Sequence, residues 1–107
     1  MSAFDDREKA EEARFKHDQD LTFKIRNRRN KLFGLWLAQA HLGKSGDGAA
    51  EYAKEVVMSD FDTPGDDDIF AKVKADLTAA SIDLSDHILT AKLSELEQQA
   101  REQVMSE

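Results

Sequence analysis

Apolar residues recur at helical spacing in four separate stretches of this chain, and no stretch shows the alternation typical of a strand. The first stretch, residues 2–42, contains no Pro and a single Gly, at position 34, which predicts one long helix. Its apolar stripe appears only in its second half. We expect that stripe to be buried, and it consists of Leu32, Leu35, Trp36 and Ala40. The Gly-containing segment 43–48 then ends the helix in a flexible turn.

Three shorter helices are predicted after this turn. The second covers residues 47–61, and the third begins with Thr63 as N-cap, Pro64 as first helical residue and Asp66 three positions after the cap. Residues 81–83 break the third helix, and Asp83 or Ser85 caps the fourth. The residues expected in the core are Ala49, Tyr52, Ala53, Val56, Val57 and Phe61 of the second helix, Phe70, Val73, Leu77 and Ala80 of the third, and Leu89, Leu93, Leu96, Ala100 and Val104 of the fourth.

The first helix is too long for its partners. At about 1.5 Å per residue it spans roughly 60 Å, about twice the length of each of the others. About 20 of its residues would therefore have nothing in this chain to pack against, and those residues are its most charged. Short connections favour antiparallel neighbours. We therefore predict an all-α fold: a small four-helix bundle over residues 21–107 with an N-terminal, partly disordered helical arm over residues 1–20, flexible when free.

Composition narrows the class of protein. The chain has no Cys, which excludes disulfides and thiolate zinc sites. No apolar run approaches the ~20 residues of a membrane span, so we expect no membrane insertion. Asp5 and Asp6 lie where a secretory signal would carry basic residues. These features predict a cytoplasmic protein.

Charge is distributed unevenly. The net charge of −7 arises from −3 over residues 1–20, +6 over residues 21–46 and −10 over residues 47–107. Overall acidity argues against nucleic-acid binding. Segment 26–31 contains no apolar side chain, so we expect it to lie outside the core. It is either a solvated helix face or a surface that pairs with the acidic half of this chain, with a partner or with phosphates. The residues considered for an anion or nucleotide contact are Arg26, Arg28, Arg29, Lys31 and Trp36.

Patterns typical of metal sites and enzymes are incomplete. Segment 60–68 resembles a calcium loop at Asp60, Asp62 and Gly65, but Pro64 and Ala71 occupy ligand positions, so helix capping explains its acids better. The three His residues are far apart, and the GKSG sequence at positions 43–46 lacks the first Gly of a phosphate loop. We predict no metal, no catalytic residues and no cofactor, with an adenine nucleotide or another anion as the alternative ligand.

Two aromatic residues of the arm share one face. Phe4 and Phe15 are eleven residues apart, close to three helical turns. They either pack on the bundle without a role in binding, or they are anchors for a helix-in-groove contact with a partner.

Three segments, FDDREKAEEARFKHDQDLTFKIRNRRNKLFGLWLA, YAKEVVMSDFDTPGDDDIFAKVKADL and AREQVM, resemble in pattern and order the zeta subunit of alphaproteobacterial ATP synthases. That family inhibits ATP hydrolysis by the rotary enzyme. The resemblance implies that the arm inserts at a catalytic alpha/beta interface, folds into a continuous helix and blocks rotation. Its contact residues would be Phe4, Asp5, Asp6, Arg7, Glu8, Lys9, Glu12 and Phe15.

The same resemblance implies the partners and the location. They are the catalytic alpha and beta subunits of the ATP synthase head, with the central stalk as a further candidate. The protein would be a monomer when free and lie at the cytoplasmic face of the inner membrane when bound. A small helical module that binds an adenine nucleotide or anion is the competing interpretation of the residues.

Overall fold

The computed structural model describes the backbone of residues 3–60 and 65–107, and the side chains of residues 17–60 and 65–107. It contains four helices within these ranges: α1 (Ala3–Ala40), α2 (Gly46–Met58), α3 (Asp67–Ala79) and α4 (Asp86–Met105). The predicted all-α fold is confirmed. α1 packs against both α2 and α4, and α2 packs against α3. The prediction that Phe61 is buried falls outside the described residues.

The core lies around the C-terminal half of α1. Phe33 and Leu37 are fully buried and join one cluster with residues of the other three helices, such as Val56, Val73 and Leu89. All five residues predicted for the stripe of α4 are buried. A second cluster extends the core along α1, where Ile25 meets two residues near the end of α4.

The predicted stripe of α1 is wrong in its angular position. Phe33, Leu37 and Ala38 are the fully buried residues. Leu32, Leu35 and Trp36 are only partly buried, and Ala40 is exposed. The physical reason is that α1 has two helical partners, so its centre of burial lies between α2 and α4 and the predicted residues line the edges.

Two helix boundaries differ from prediction. α3 begins at Asp67 and not at Pro64, because Gly65 has a φ of +95°, which interrupts the negative φ values that a right-handed helix repeats along its length. Ala80 caps the end of this helix and is exposed, while Ile69, which was not predicted, is buried. α2 ends at Met58, and the Ser59 hydroxyl donates to the carbonyl of Val56 at 2.7 Å. Thr63 and Pro64 themselves lie outside the described residues.

The start of α4 resolves an open alternative. Ser85, and not Asp83, is its N-cap, and its hydroxyl oxygen accepts a hydrogen bond from the Ile88 amide at 3.2 Å. No helix in the described part of the chain is both long and apolar enough to cross a bilayer.

α1 and α4 run antiparallel. Along α1, Arg28 hydrogen-bonds Gln103, whereas the Trp36 ring lies 5.4 Å from the Lys92 ammonium. Advancing along α1 therefore means going backwards along α4. The last residues of α4 consequently pack beside the point where α1 leaves the bundle.

Candidate partner-binding arm and the ionic network at its base

The bundle covers α1 only from Leu21 onwards within the described side chains. Leu21 packs against the cluster of Ile25, Ala100 and Val104. Residues 17–20 are all exposed. α1 nevertheless continues as a helix back to Ala3. A division of the chain at residue 20 stays a prediction, and the packing of Leu21 is the structural observation closest to it.

The predicted contact residues of the arm belong to α1 by their backbone. Their side chains lie outside the described part of the structure, so their roles stay predictions. They are Phe4, Asp5, Asp6, Arg7, Glu8, Lys9, Glu12 and Phe15.

A network of charged side chains lies at the base of the arm, and Asp60 is at its centre. The Asp60 carboxylate accepts hydrogen bonds from Arg26 Nε at 2.5 Å and from Arg26 Nη2 at 2.8 Å. It also accepts one from Asn30 Nδ2 at 2.9 Å. Its side chain is only 7% exposed. The hydrogen bonds from Arg26 hold the pKa of Asp60 below its usual range, against the opposing effect of burial.

Arg26 is fixed from two directions. Its guanidinium forms the two-point pair with Asp60 and also donates to the backbone carbonyl of Gly65. The hydrogen bond to Asp60 raises the pKa of Arg26, so the group stays charged at every physiological pH. One side chain of α1 therefore holds both ends of the segment that connects α2 to α3.

Arg29 and Asn30 correct the expectation that segment 26–31 lies outside the core, because both are buried. Asn30 Oδ1 accepts from Arg29 Nε and from a second Arg29 nitrogen, at 3.1 and 3.0 Å. Arg29 also donates to Asp66 at 2.8 Å and to Glu97 at 3.3 Å. Burial of these polar groups is tolerated because each finds partners. No buried side-chain nitrogen or oxygen lacks a hydrogen bond among the described residues.

Arg28 extends the network to the end of α4. Its guanidinium donates to Gln103 at 2.9 Å and forms an ion pair with Glu107. Of the roles considered for the basic segment, pairing with the acidic half of the chain is therefore the one observed, and a purely solvated face is wrong for its arginines. A contact of Arg26, Arg28, Arg29, Lys31 or Trp36 with an anion or nucleotide stays a prediction.

Pairing of the basic segment with the acidic half of the chain was one of the alternatives that the sequence left open, and its spacing contains a further signal for this network. Arg26 and Arg29 are three residues apart and therefore on neighbouring positions of one helix face. The acids that pair with them flank the connection between the second and third helices. Only the tertiary fold shows that these two segments meet.

A second polar cluster joins α2 to α3. The Tyr52 hydroxyl donates to Asp76 at 2.9 Å, and Lys72 pairs with the same carboxylate at 2.9 Å. The Lys72 ammonium also lies 5.4 Å from the centre of the Tyr52 ring. Burial, and then the hydrogen bond to Asp76, raise the pKa of Tyr52. This cluster stabilises the bundle on the side away from the base of the arm.

Among the side chains of α1 that the structure describes, residues 17–40, one large apolar side chain is exposed. Phe23 is 67% exposed. It lines a shallow surface groove together with Asp18, Gln19, Thr22 and Arg26. The sequence pattern does not single out Phe23, because this residue lies between the charged arm and the expected core stripe.

These features define a helical protein, in which a long helix projects from a bundle that fixes its base by ion pairs. Among the described residues there is no group of His, Cys, Asp and Glu arranged to hold a metal ion. The chain belongs to the family described as ATPase inhibitor subunit zeta, which it matches over residues 1–103. It is therefore an inhibitor of ATP hydrolysis by ATP synthase and not an enzyme, as the resemblance implied. No curated protein gave a significant match.

Proposed function

We propose that the N-terminal arm, residues 1–20, inserts as a continuous helix at a catalytic alpha/beta interface of the ATP synthase head. In that position it blocks rotation in the hydrolytic direction. The bundle, residues 21–107, stays outside the cleft as an anchor. Contact with the central stalk is part of the same proposal. The bound protein would lie at the cytoplasmic face of the membrane that carries the ATP synthase.

The observation that carries this proposal is the continuity of α1. One helix of 38 residues includes both the arm and the segment that packs in the bundle. From Ala3 to Leu21 the backbone extends about 27 Å beyond the first residue that packs. A helix of that length reaches well into a cleft, and it needs no hinge to connect the inserted part with the anchor.

The dimensions of the molecule support the role of the bundle. The principal extents are 65 × 26 × 21 Å. A single helix is only about 10–12 Å across, side chains included. A cleft that admits the helix alone therefore excludes the bundle, so the depth of insertion is limited where the bundle begins.

The proposed contacts of the arm are two aromatic and six charged residues: Phe4, Asp5, Asp6, Arg7, Glu8, Lys9, Glu12 and Phe15. Because Phe4 and Phe15 share one helix face, both can enter one apolar groove while Arg7 and Lys9 meet acidic groups. Ordering an arm upon binding costs free energy, which keeps such inhibition reversible.

Deletion of residues 1–19 tests the proposal. Inhibition of ATP hydrolysis by the purified cognate ATP synthase should be lost, while the melting temperature of the bundle stays near that of the full chain. The double variant Phe4→Ala with Phe15→Ala should reproduce much of that loss in the full-length protein, since buried aromatic side chains supply a large share of binding energy.

A matched control is available in the same arm. Lys16→Gln combined with Asp20→Asn removes one base and one acid outside the proposed contact set, on the side of the helix away from Phe4 and Phe15, and keeps the net charge. This variant should inhibit as the wild type does. Full inhibition by the truncated protein would place the inhibitory surface in the bundle and overturn the proposal.

A further inference from the structure

We infer that Phe23 makes a second contact with the ATP synthase head, at the rim of the cleft, in an apolar pocket bordered by basic groups. This inference rests on the proposed function, because it extends the same interface from the arm to the base of α1. It assigns a binding role to the face of α1 that the bundle leaves uncovered.

The geometry of α1 places Phe23 opposite the bundle. Ile25 is 8% exposed and packs against Ala100 and Val104. Phe23 precedes Ile25 by two residues, which is a rotation of about 200° around the helix. The ring therefore points away from α4, and its exposure of 67% agrees with that direction.

The position of Phe23 along α1 makes it continuous with the proposed interface. It follows Phe15 by eight residues, about 12 Å along the helix axis. Leu21, two residues before Phe23, is the first described residue of α1 that packs against the core. A partner that encloses the arm up to Phe15 must therefore have its rim close to Phe23.

The base of the helix is held rigidly at this point. Arg26 lines the groove beside Phe23 and is fixed by Asp60 and by the carbonyl of Gly65. The aromatic ring is thus presented on a helix turn that has little freedom to move. Such preorganisation lowers the entropic cost of binding.

Charge indicates the chemistry of the partner. The charged side chains that line the groove are Asp18 and Arg26. The charge of Arg26 is compensated by Asp60, at 2.5 Å. Asp18 leaves the groove acidic in net effect, so its partner should present basic groups around the pocket that receives the ring.

The area of this face argues against a second copy of the chain as its occupant. One aromatic side chain buries about 150–250 Å². A stable interface needs about 800 Å² from each partner. Phe23 and its neighbours therefore cannot hold a dimer alone, whereas they add usefully to an interface that already includes the arm.

The test compares Phe23→Ala with Ile88→Ala in the full-length chain. Ile88 is the control, because it is also an exposed apolar helix residue, 46% exposed, and it lies in the first turn of α4, at the end of the bundle away from the arm. Inhibition of the cognate ATP synthase is measured at several protein concentrations. Phe23→Ala should raise the half-inhibitory concentration about tenfold, as expected for an interface aromatic, and Ile88→Ala should leave it unchanged. Asp18→Lys should raise it several-fold, more strongly at low salt.

The outcomes separate this inference from the proposed function. Loss of inhibition on deleting residues 1–19, together with wild-type potency of Phe23→Ala, would leave the arm proposal intact and overturn the role of Phe23. Full potency of the deletion variant would overturn the arm proposal itself. A free wild-type protein that sediments as a dimer, with Phe23→Ala monomeric, would identify a second copy as the occupant and also overturn the inference.

Discussion

Gly34 of α1 lies directly against Ala53 of α2. A Cβ atom at position 34 would be 2.6 Å from the Cα of Ala53 and 3.2 Å from two carbon atoms of Val56. Real Cβ atoms essentially never approach a backbone atom this closely. The single glycine of the long helix is therefore the point that allows α1 and α2 to pack at close range.

Replacing Gly34 with Ala should consequently destabilise the bundle, although Ala favours a helix intrinsically. The clash is with backbone, so the two helices must separate, and we expect a loss of about 1–3 kcal/mol. Chemical denaturation followed by circular dichroism measures it. Gly48→Ala in α2 is the control: a Cβ there meets nothing within 4 Å, so stability should rise by about 0.5–1 kcal/mol. Equal stabilisation by both substitutions would refute the close contact.

The core of α1 is centred on Phe33 and not on Trp36. Phe33 is completely buried, while Trp36 is partly exposed at the edge of the cluster. Phe33→Ala should therefore cost about 3–5 kcal/mol, and Trp36→Ala should cost distinctly less despite the larger side chain. Thermal melts of the two variants give the order. A larger loss of stability for Trp36→Ala than for Phe33→Ala would show that the core is centred on the stripe predicted from the sequence.

The Asp60 network should make the free energy of unfolding decrease as pH falls in the acidic range. The folded-state pKa of Asp60 is lower than its unfolded value, which is about 3.9. Its stabilising contribution is thus complete above that unfolded value and disappears as pH falls through the lower folded value. Asp60→Asn should cost about 1–3 kcal/mol at neutral pH, and the difference from wild type should shrink below about pH 4.

Denaturation at a series of pH values checks this behaviour. The control is Asp86→Asn, since Asp86 forms an ion pair with Lys74 at 2.8 Å but its side chain is 73% exposed. That pair should contribute less than about 1 kcal/mol. A difference between Asp60→Asn and wild type that stays constant down to pH 2 would rule out a titrating Asp60 as its source.

Tyr52 should make the free energy of unfolding decrease as pH rises in the alkaline range. Its folded-state pKa is raised by burial, whereas an unfolded Tyr ionises near pH 10. The contribution is therefore present below about pH 10 and is lost as pH rises further, because only the unfolded chain releases the proton. Tyr52→Phe should lose about 1 kcal/mol at neutral pH and become less sensitive to alkali than wild type. The chain has one Tyr, so tyrosinate absorbance should appear only with unfolding; its appearance in the folded protein would contradict the prediction.

Elements with a local cause were predictable from the sequence. The stripe of α4 follows from its own spacing, and Ser85 caps this helix through the amide of Ile88, only three residues away. The turn after α1 likewise follows from its glycines. In each case the residues that determine the structure are neighbours in the chain.

Elements that depend on distant partners were not predictable in the same way. Arg29 and Asn30 are polar, and their burial is stable only because Asp60, Asp66 and Glu97 approach from other elements. The centre of the α1 stripe likewise depends on two partner helices. For the arm, the aromatic spacing and the family resemblance suggested contact residues, whereas the exposure of Phe23 emerged only from the fold.

The location of Trp36 has a practical consequence. It is the only Trp of the chain, and its ring contacts Phe33, His41 and Lys92 within the bundle. Its fluorescence therefore reports on the bundle alone, and structural changes confined to the arm leave this emission unchanged. Combined with circular dichroism, which senses every helical residue, this emission allows folding of the arm on its partner to be observed separately from melting of the anchor, without any attached label.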